Sequence, residues 1–589
     1  MKRFTADFET NVSETDCRVW AYSICEIGNV DNFIYGNSIE DFLKWCANKR
    51  ENYTLYFHNL KFDSEYIISY LLHNGYEVIK EKKERKDKTF TTVITDMGQF
   101  YALEIYFEVK KSKVNKVTIY DSLKLINKSV EDIAKDFDLP IRKLNLDYKR
   151  IRPEGYILQD YEIKYIQNDV KIMALALEKL FAENLTKMTI GSCALSNYRK
   201  MTKYFKTYFP SLPFEIDKDI RQSYKGGFTY LSPKYKEKIV NNLMVLDVNS
   251  LYPSVMVANV LPHGQPVPFK DKYKEDKFYP LYVQQLSCTF KVKENMIPTI
   301  QIKNNLAFLP NEYIESSNGE IITLTLTNVD LELFFKHYDV KVYAWHGGFK
   351  FQGVKGLFTN YINTWTKNKI QAKKEGNKSL YAISKLMLNS LYGKMATNPI
   401  IRSKYPYLDS DGVVRYGLYP EEIKESLYIP VATFITSYAR KKTIETSQAI
   451  RDYTMQKYNE DYYIYSDTDS IHMKKLPADE LSKFVEIDDF ELGKWKIESD
   501  NISVAKFLRQ KCYIEIDEKN KKNVTVAGLP KKLAKYVSIE NFKEGFSILA
   551  NDNEKEHKLT YKHVKGGVLL VDTDFSIKYN KSDRKKVER

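Results

Sequence analysis

The chain has 589 residues, too many for one hydrophobic core, so several domains are expected. Its 91 Lys and Arg against 77 Asp and Glu leave a net charge of +14, which suits a polyanionic partner without specifying one. Six scattered cysteines (Cys17, Cys25, Cys46, Cys193, Cys288 and Cys512) lack any CxxC spacing, which argues against a zinc module or disulfide framework and fits a reducing compartment.

The N-terminus runs directly into a polar, acid-bearing strand and no apolar run is long enough to cross a bilayer, so a soluble cytosolic protein without a signal peptide is expected. Strand and helix patterns alternate through the first part of the chain, with the lysine-rich stretches 80–88 and 110–116 as solvated loops. In Arg3-Phe4-Thr5-Ala6-Asp7-Phe8-Glu9-Thr10, strand alternation puts Asp7 and Glu9 on one face. Phe57-His58-Asn59-Leu60-Lys61-Phe62-Asp63 places another acid just past an apolar strand. A periodic helix is predicted from Asp160 to Ala182, with Tyr165 and Asp169 four apart on one face. Each piece alone is common. In this order, four acids and a tyrosine fit a two-metal nuclease, in which bound ions activate water and stabilise the departing 3′ oxygen and the tyrosine hydroxyl orients that water.

Residues 190–258 lead through Tyr224-Lys225-Gly226-Gly227 into Leu243-Met244-Val245-Leu246-Asp247-Val248-Asn249-Ser250-Leu251-Tyr252-Pro253, an acid at the end of an apolar strand. Residues 259–356, rich in Pro, Tyr and β-branched residues, read as a separate insertion. Helical patterning returns over 357–395. There Lys378, Lys385, Asn389 and Tyr392 share one face beside an apolar stripe of Leu380, Ile383, Met387 and Leu391. That face fits an incoming nucleotide, with lysines for a triphosphate and a tyrosine for a base; the alternative is an amphipathic surface helix with a solvated basic side. A second insertion, dotted with Pro and Gly, covers 396–427. Tyr465-Ser466-Asp467-Thr468-Asp469-Ser470 then puts Asp467 and Asp469 on one face of an extended segment. Alone this is as well read as a solvated hairpin tip. With Asp247 it makes a three-carboxylate site for two divalent ions, suited to nucleotidyl transfer. The last segment ends in a basic tail with Lys581, Arg584, Lys585 and Lys586, for which disorder is the default.

Together these segments resemble the family B DNA polymerases, in particular the protein-primed, phi29-like group of phages with linear genomes. The resemblance spans essentially the whole chain in order, and its motifs are specific in combination. It implies an α/β multidomain fold: an RNase H-like 3′→5′ exonuclease domain (1–188) and a right-hand polymerase with two insertions. The implied order is palm (189–258), first insertion (259–356), fingers (357–395), second insertion (396–427), palm again (428–528), then thumb and basic tail (529–589). The exonuclease metal ligands would be Asp7, Glu9, Asp63 and Asp169, assisted by Tyr165, with His58, Asn59 and Phe62 holding a frayed primer end. In the palm, Asp247, Val248 and Asp469 would be the metal-binding residues, with Asp467 beside them as a catalytic acid. Tyr252 would exclude a 2′-hydroxyl, Lys378 and Lys385 would bind phosphates, and Asn389 and Tyr392 would complete the nucleotide site. Tyr224, Gly226 and Gly227 match a motif joining the two activities, Thr436 and Arg440 a primer–template motif, Lys511 and Tyr513 a primer-terminus motif, and Ser122 and Leu123 a motif of this branch.

The start of the exonuclease motif at residue 7, with no preceding domain expected, and the two insertions point to the protein-primed branch. In relatives the first insertion contacts the terminal protein and the second gives processivity and strand displacement. The implied cofactor is Mg2+, two ions per active site, with Mn2+ as a substitute. The implied partners are primer–template and single-stranded DNA, dNTPs and a terminal protein. A monomer working in the cytoplasm of an infected bacterial host is expected. A catalytically silent DNA-binding scaffold would lack acids in at least one site, and all are present; a DNA-primed polymerase dependent on a clamp is the nearer rival.

Overall fold

The computed structural model describes residues 2–577, apart from 12, 14, 49, 50, 148, 149, 302–312 and 553. Part of the first predicted insertion and the basic tail lie outside the described residues.

The N-terminal part is built on an eight-stranded mixed sheet. Its strands are β1 (Lys2–Thr10), β2 (Val19–Glu26), β3 (Asn29–Gly36), β4 (Tyr53–Phe57), β5 (Glu77–Val78), β6 (Thr89–Ile94), β7 (Phe100–Val109) and β8 (Val114–Asp121), in the spatial order β3-β2-β1-β4-β8-β7-β6-β5. β4 lies between parallel partners β1 and β8 and is buried along its whole length, as a parallel strand covered on both faces must be. The helices are α1 (Ile39–Cys46), α2 (Leu60–His73), α3 (Val130–Asp136) and α4 (Asp160–Ala182), the last matching the predicted periodic helix. α4 packs on β1 and β2, and α2 on β7 and β8. Phe8 of β1 makes edge contacts with Phe42 at 4.8 Å and Phe57 at 5.0 Å between ring centroids, locking the central strand.

Helices α5 (Ile190–Met201), α6 (Phe205–Tyr208) and α7 (Phe214–Arg221) lead to β9 (Thr229–Leu231), β10 (Ile239–Val248) and α8 (Leu251–Ala258). A separate four-stranded sheet follows, formed by β11 (Val260–Phe269), β12 (Leu281–Val292), β13 (Ile322–Thr327) and β14 (Tyr338–Lys355) in the order β11-β14-β12-β13, with α9 (Asn328–His337). Strands close up tightly where Gly348 of β14 passes β12: a Cβ there would lie 1.8 Å from the Val283 carbonyl oxygen.

The helical pattern over 357–395 forms two helices, α10 (Thr359–Lys374) and α11 (Lys378–Met395), packed on each other. Gly376, at φ +69°, makes the reversal, and Asn377 Oδ1 caps α11 by accepting from the Leu380 N–H at 3.0 Å. Next come β15 (Ile400–Ile401), the hairpin β16 (Lys404–Leu408) and β17 (Val414–Leu418), and β18 (Glu422–Ile423), then the long, largely buried α12 (Ile429–Tyr458). The strands β19 (Tyr463–Asp467), β20 (Ser470–Lys474), β21 (Trp495–Arg509), β22 (Cys512–Asp517) and β23 (Lys522–Val526) complete an antiparallel sheet of order β23-β22-β21-β10-β20-β19-β9.

The chain continues through β24 (Ser547–Ile548) to a hairpin of β25 (Lys558–Val564) and β26 (Gly567–Thr573), which docks back on α2. The Tyr66 hydroxyl donates to the Val568 carbonyl at 2.7 Å, and Gly566 approaches the Cys17 carbonyl so closely that a Cβ would lie 2.3 Å from it. Beside Tyr66, the buried Glu65 carboxylate accepts from the Tyr416 hydroxyl of β17 at 2.7 Å and lies 3.2 Å from His563 Nε2 of β25. Three remote segments thus meet at one carboxylate. Among the described residues no helix is long and apolar enough to cross a membrane.

Candidate active sites

Asp7 and Glu9 sit on β1, Asp63 in the first turn of α2, and Asp169 on α4 beside Tyr165. Burial, and next the charge of Asp169, push the Asp7 carboxyl up to about 7, against the opposing pull of Lys143. Glu9 and Asp63 are raised by burial and by Asp7, and Asp169 by burial. The acids therefore share one unfavourable field. Lys143 eases it by pairing with Asp169 Oδ2, while Asp169 Oδ1 is buried with no hydrogen-bond partner among the described residues. Among the described residues no three acidic, His or Cys side chains already surround a single ion position. Hard oxygen donors, an orphaned carboxylate oxygen and mutual repulsion fit a divalent cation of the Mg2+ type. Lys143 escaped the sequence reading because a lone lysine in an irregular segment carries no periodic signal.

This field has a consequence for stability. Unfolded, these acids ionise near pH ~4, whereas Asp7 is held at about 7 in the folded protein. The folded state therefore binds more protons between these values, and metal-free stability falls as pH rises from about 4 to about 7. In EDTA, the Tm difference between wild type and the Asp7→Asn variant is expected to turn against wild type across that window, and Mg2+ at neutral pH to reverse it. A difference that is flat with pH would contradict this account of the cluster.

Of the residues expected to hold a primer end, Asn59 is exposed at φ +70°, and its N–H donates to Asp121 Oδ1 at 3.0 Å, setting the start of α2. His58 is held at both ring nitrogens, 3.0 Å from Ser122 Oγ and 2.7 Å from the Lys128 carbonyl, and burial pushes its pKa down. Ser122 is fully buried and also donates to the Phe57 carbonyl at 3.0 Å, so it positions His58 rather than facing a DNA strand. Leu123 is half-buried. Phe62 lies 6.2 Å from the Tyr561 ring of β25, an aromatic neighbour the sequence did not mark.

In the second site, Asp247 near the end of β10 faces Ser470 of β20 and Lys496 of β21 across the sheet. Asp467 and Asp469 come together through a tight turn and not by the strand alternation expected. Thr468 between them has φ +61°, and the Asp469 N–H donates to the Asp467 carbonyl at 2.7 Å. The turn is clamped by Thr468 N–H to the Phe228 carbonyl at 2.6 Å and by the Thr443 hydroxyl to the Thr468 carbonyl at 2.8 Å. Gly227 touches it closely, since a Cβ there would lie 2.5 Å from Thr468 Oγ1, whereas Gly226 has open space. Asp469 is pushed up to about 6 by burial and next by Asp247. Val248 contributes through its backbone, its N–H donating to the Asp469 carbonyl at 2.8 Å.

Asp247 and Asp469 border two cavities. The first, about 830 Å³, also meets Asp467, Lys511 and Tyr513; Lys511 Nζ lies 3.2 Å from Asp467 Oδ1. The second, about 1030 Å³, opens toward α10 and α11 and meets Lys385, Asn389 and Tyr392. There the rings of Tyr252 and Tyr392 stack, 3.9 Å between centroids. Asp467 borders only the first. Lys378 is not brought to the cleft: two helical turns from Lys385, it pairs with Asp138 at 3.1 Å, and Lys369 and Lys373 of α10 line the cleft instead. Here too, repelling carboxylates at the seam of two cavities fit a divalent cation.

Thr436 and Arg440 are buried within α12, and their positions differ from that of a surface DNA contact. Thr436 bonds to carbonyls of its own helix. The Arg440 guanidinium pairs with Asp330 of α9 and donates to the Lys225 and Gly226 carbonyls at 3.0 and 2.8 Å. It thereby ties the Tyr224–Gly227 segment to the four-stranded sheet's helix.

The family described as DNA polymerase type B, organellar and viral, matches residues 46–485. The DNA polymerase of Bacillus phage M2 is 42% identical over 596 residues, covering 98% of this chain and 100% of that protein. That of Bacillus phage phi29 is 41% identical, with 98% and 99% covered, and that of Streptococcus phage Cp-1 is 33% identical, with 98% of each covered. Phi29 DNA polymerase in an orthorhombic crystal form superposes with a TM-score of 0.90 at 40% identity, covering 98% of this chain and 100% of that one. The same enzyme complexed with primer-template DNA and incoming nucleotide substrates gives 0.89, at the same identity and coverage. The chain therefore belongs to the organellar and viral type B DNA polymerases, in their phi29-like phage group, and is a metal-dependent DNA polymerase.

Proposed function

We propose that this polymerase replicates a linear phage genome from a protein primer, proofreads with its N-terminal acids, and displaces the strand ahead of it. The observation that supports this best is the presence of two separate carboxylate centres in one chain, the first with several raised acids and the second with Asp469 raised, each with a paired lysine. A silent scaffold has no reason to keep either repelling cluster.

In chain growth, the primer 3′-hydroxyl attacks the α-phosphate of a dNTP and pyrophosphate leaves. Asp247 and Asp469 would hold two Mg2+ ions, or Mn2+ in their place, which when bound offset the charge developing on the phosphate. Lys511 and Tyr513 border the cavity on the primer side, Lys385 and Asn389 the cleft on the nucleotide side, and Tyr252 with Tyr392 forms the aromatic wall between sugar and base. At initiation a hydroxyl of the terminal protein replaces the primer 3′-hydroxyl. In the N-terminal site Asp7, Glu9, Asp63 and Asp169 would hold the ions, which when bound would activate the attacking water, and Tyr165, beside Asp169, would orient that water. The enzyme works as a monomer in the cytoplasm of the infected bacterial cell.

The test is extension of a primed single-stranded DNA circle with Mg2+, dNTPs and this protein alone. Products many times the circle's length are expected. Products that stop within one lap would remove processive strand displacement from the proposal and favour the clamp-dependent reading.

A further inference from the structure

The palm brings a lysine to the nucleotide cleft that no sequence pattern marks. Lys496 lies near the start of β21, and the antiparallel register with β10 sets it directly across from Asp247. Its ammonium is 2.9 Å from Asp247 Oδ1, yet the side chain is 34% exposed and lines the cleft. Lys369 and Lys373 of α10 and Lys385 of α11 line that cleft with it. Burial, and next the charges of Lys385, Lys496 and Lys373, push the ammonium of Lys369 down. Such crowding of like charges is relieved when a polyanion enters.

Asp247 is also where a divalent ion would bind, and an ion and an ammonium on one carboxylate oxygen repel each other. A lysine is a compact charge on a flexible stem with three rotatable donors, so it can change partner without moving the strand. We infer that Lys496 is a further triphosphate ligand, leaving Asp247 for the phosphate oxygens of the incoming nucleotide once a divalent cation takes the carboxylate. This rests on the proposed assignment of the cleft to the nucleotide. It makes the triphosphate site a two-sided one, with Lys496 of the palm sheet facing the lysines of α10 and α11.

The test is equilibrium formation of a ternary complex. The probes are a primer–template ending in a dideoxynucleotide, the next complementary dNTP and Ca2+, with inorganic tripolyphosphate as competitor. Lys496→Met is expected to weaken dNTP binding about tenfold and tripolyphosphate competition by a similar factor. Affinity for the primer–template alone should be unchanged, which also shows that the variant is folded. Lys496→Arg, which keeps the charge, should stay within about threefold of wild type. A Lys496→Met variant with wild-type dNTP affinity, or one in which only the Ca2+ requirement changes, would overturn the inference and leave Lys496 as the counter-ion of Asp247. If wild type binds primer–template but gains nothing from the matching dNTP, the cleft assignment itself fails, and this inference with it.

Discussion

Asp7→Ala combined with Asp63→Ala is expected to lower 3′→5′ degradation of single-stranded DNA by at least ~10²-fold while leaving primer extension close to wild type. Asp469→Asn is expected to do the reverse, abolishing extension and sparing degradation. The separation follows from the architecture. The first acids belong to the eight-stranded sheet and its helices, the last to the turn between β19 and β20, and no strand is common to both sheets. In the N-terminal site the double variant removes two of the acids that repel each other in the metal-free protein. The loss of activity should therefore come with a higher Tm in EDTA, which distinguishes a lost ion site from a lost fold. Degradation that persists in the double variant would refute the exonuclease assignment, and extension by Asp469→Asn would refute that of the palm.

The second large effect is on stability. Arg440→Met is expected to cost about 3–5 kcal/mol, because it strands the Asp330 carboxylate in the interior with its charge uncompensated. The double variant Arg440→Met with Asp330→Leu should recover much of that loss. Urea unfolding of the three proteins measures both. A direct DNA contact predicts something else, a salt dependence of DNA binding shallower by about one ion. The buried geometry predicts an unchanged slope. An unaltered unfolding midpoint together with a shallower slope would place Arg440 on the DNA after all.

This arginine illustrates how far the sequence could be read. Asp7, Glu9, Asp63, Asp169 and Asp247 were legible because each lies on a strand, just past one, or at helical spacing, where geometry follows from local periodicity. Arg440 was not, because its partner Asp330 lies 110 positions away in another sheet's helix, and no local pattern encodes burial by a remote segment. Lys143 and Lys496 were missed for the same reason: each meets a carboxylate of another element only through tertiary folding. The approach of Asp467 to Asp469 was anticipated on the wrong grounds, since a threonine at φ +61° turns the chain where extended alternation was expected. The helical pattern over 357–395 divides into two helices at Gly376, where φ is +69° and the flanking residues are polar.

The junction at Glu65 and Tyr66 bears on how the molecule is made. Tyr66 reaches its partner Val568 over 502 positions of chain, and Glu65 reaches Tyr416 over 351. At ribosomal rates of about 5–20 residues per second, Tyr66 leaves the tunnel roughly 25–100 s before Val568 does. Until Tyr416 emerges, α2 carries a carboxylate and a phenol with neither of these neighbours, and Tyr66 still waits for Val568 after that. The first-born unit is thus finished by the last-born hairpin, and a transcript cut short before β25 would release a chain whose opening module was never sealed.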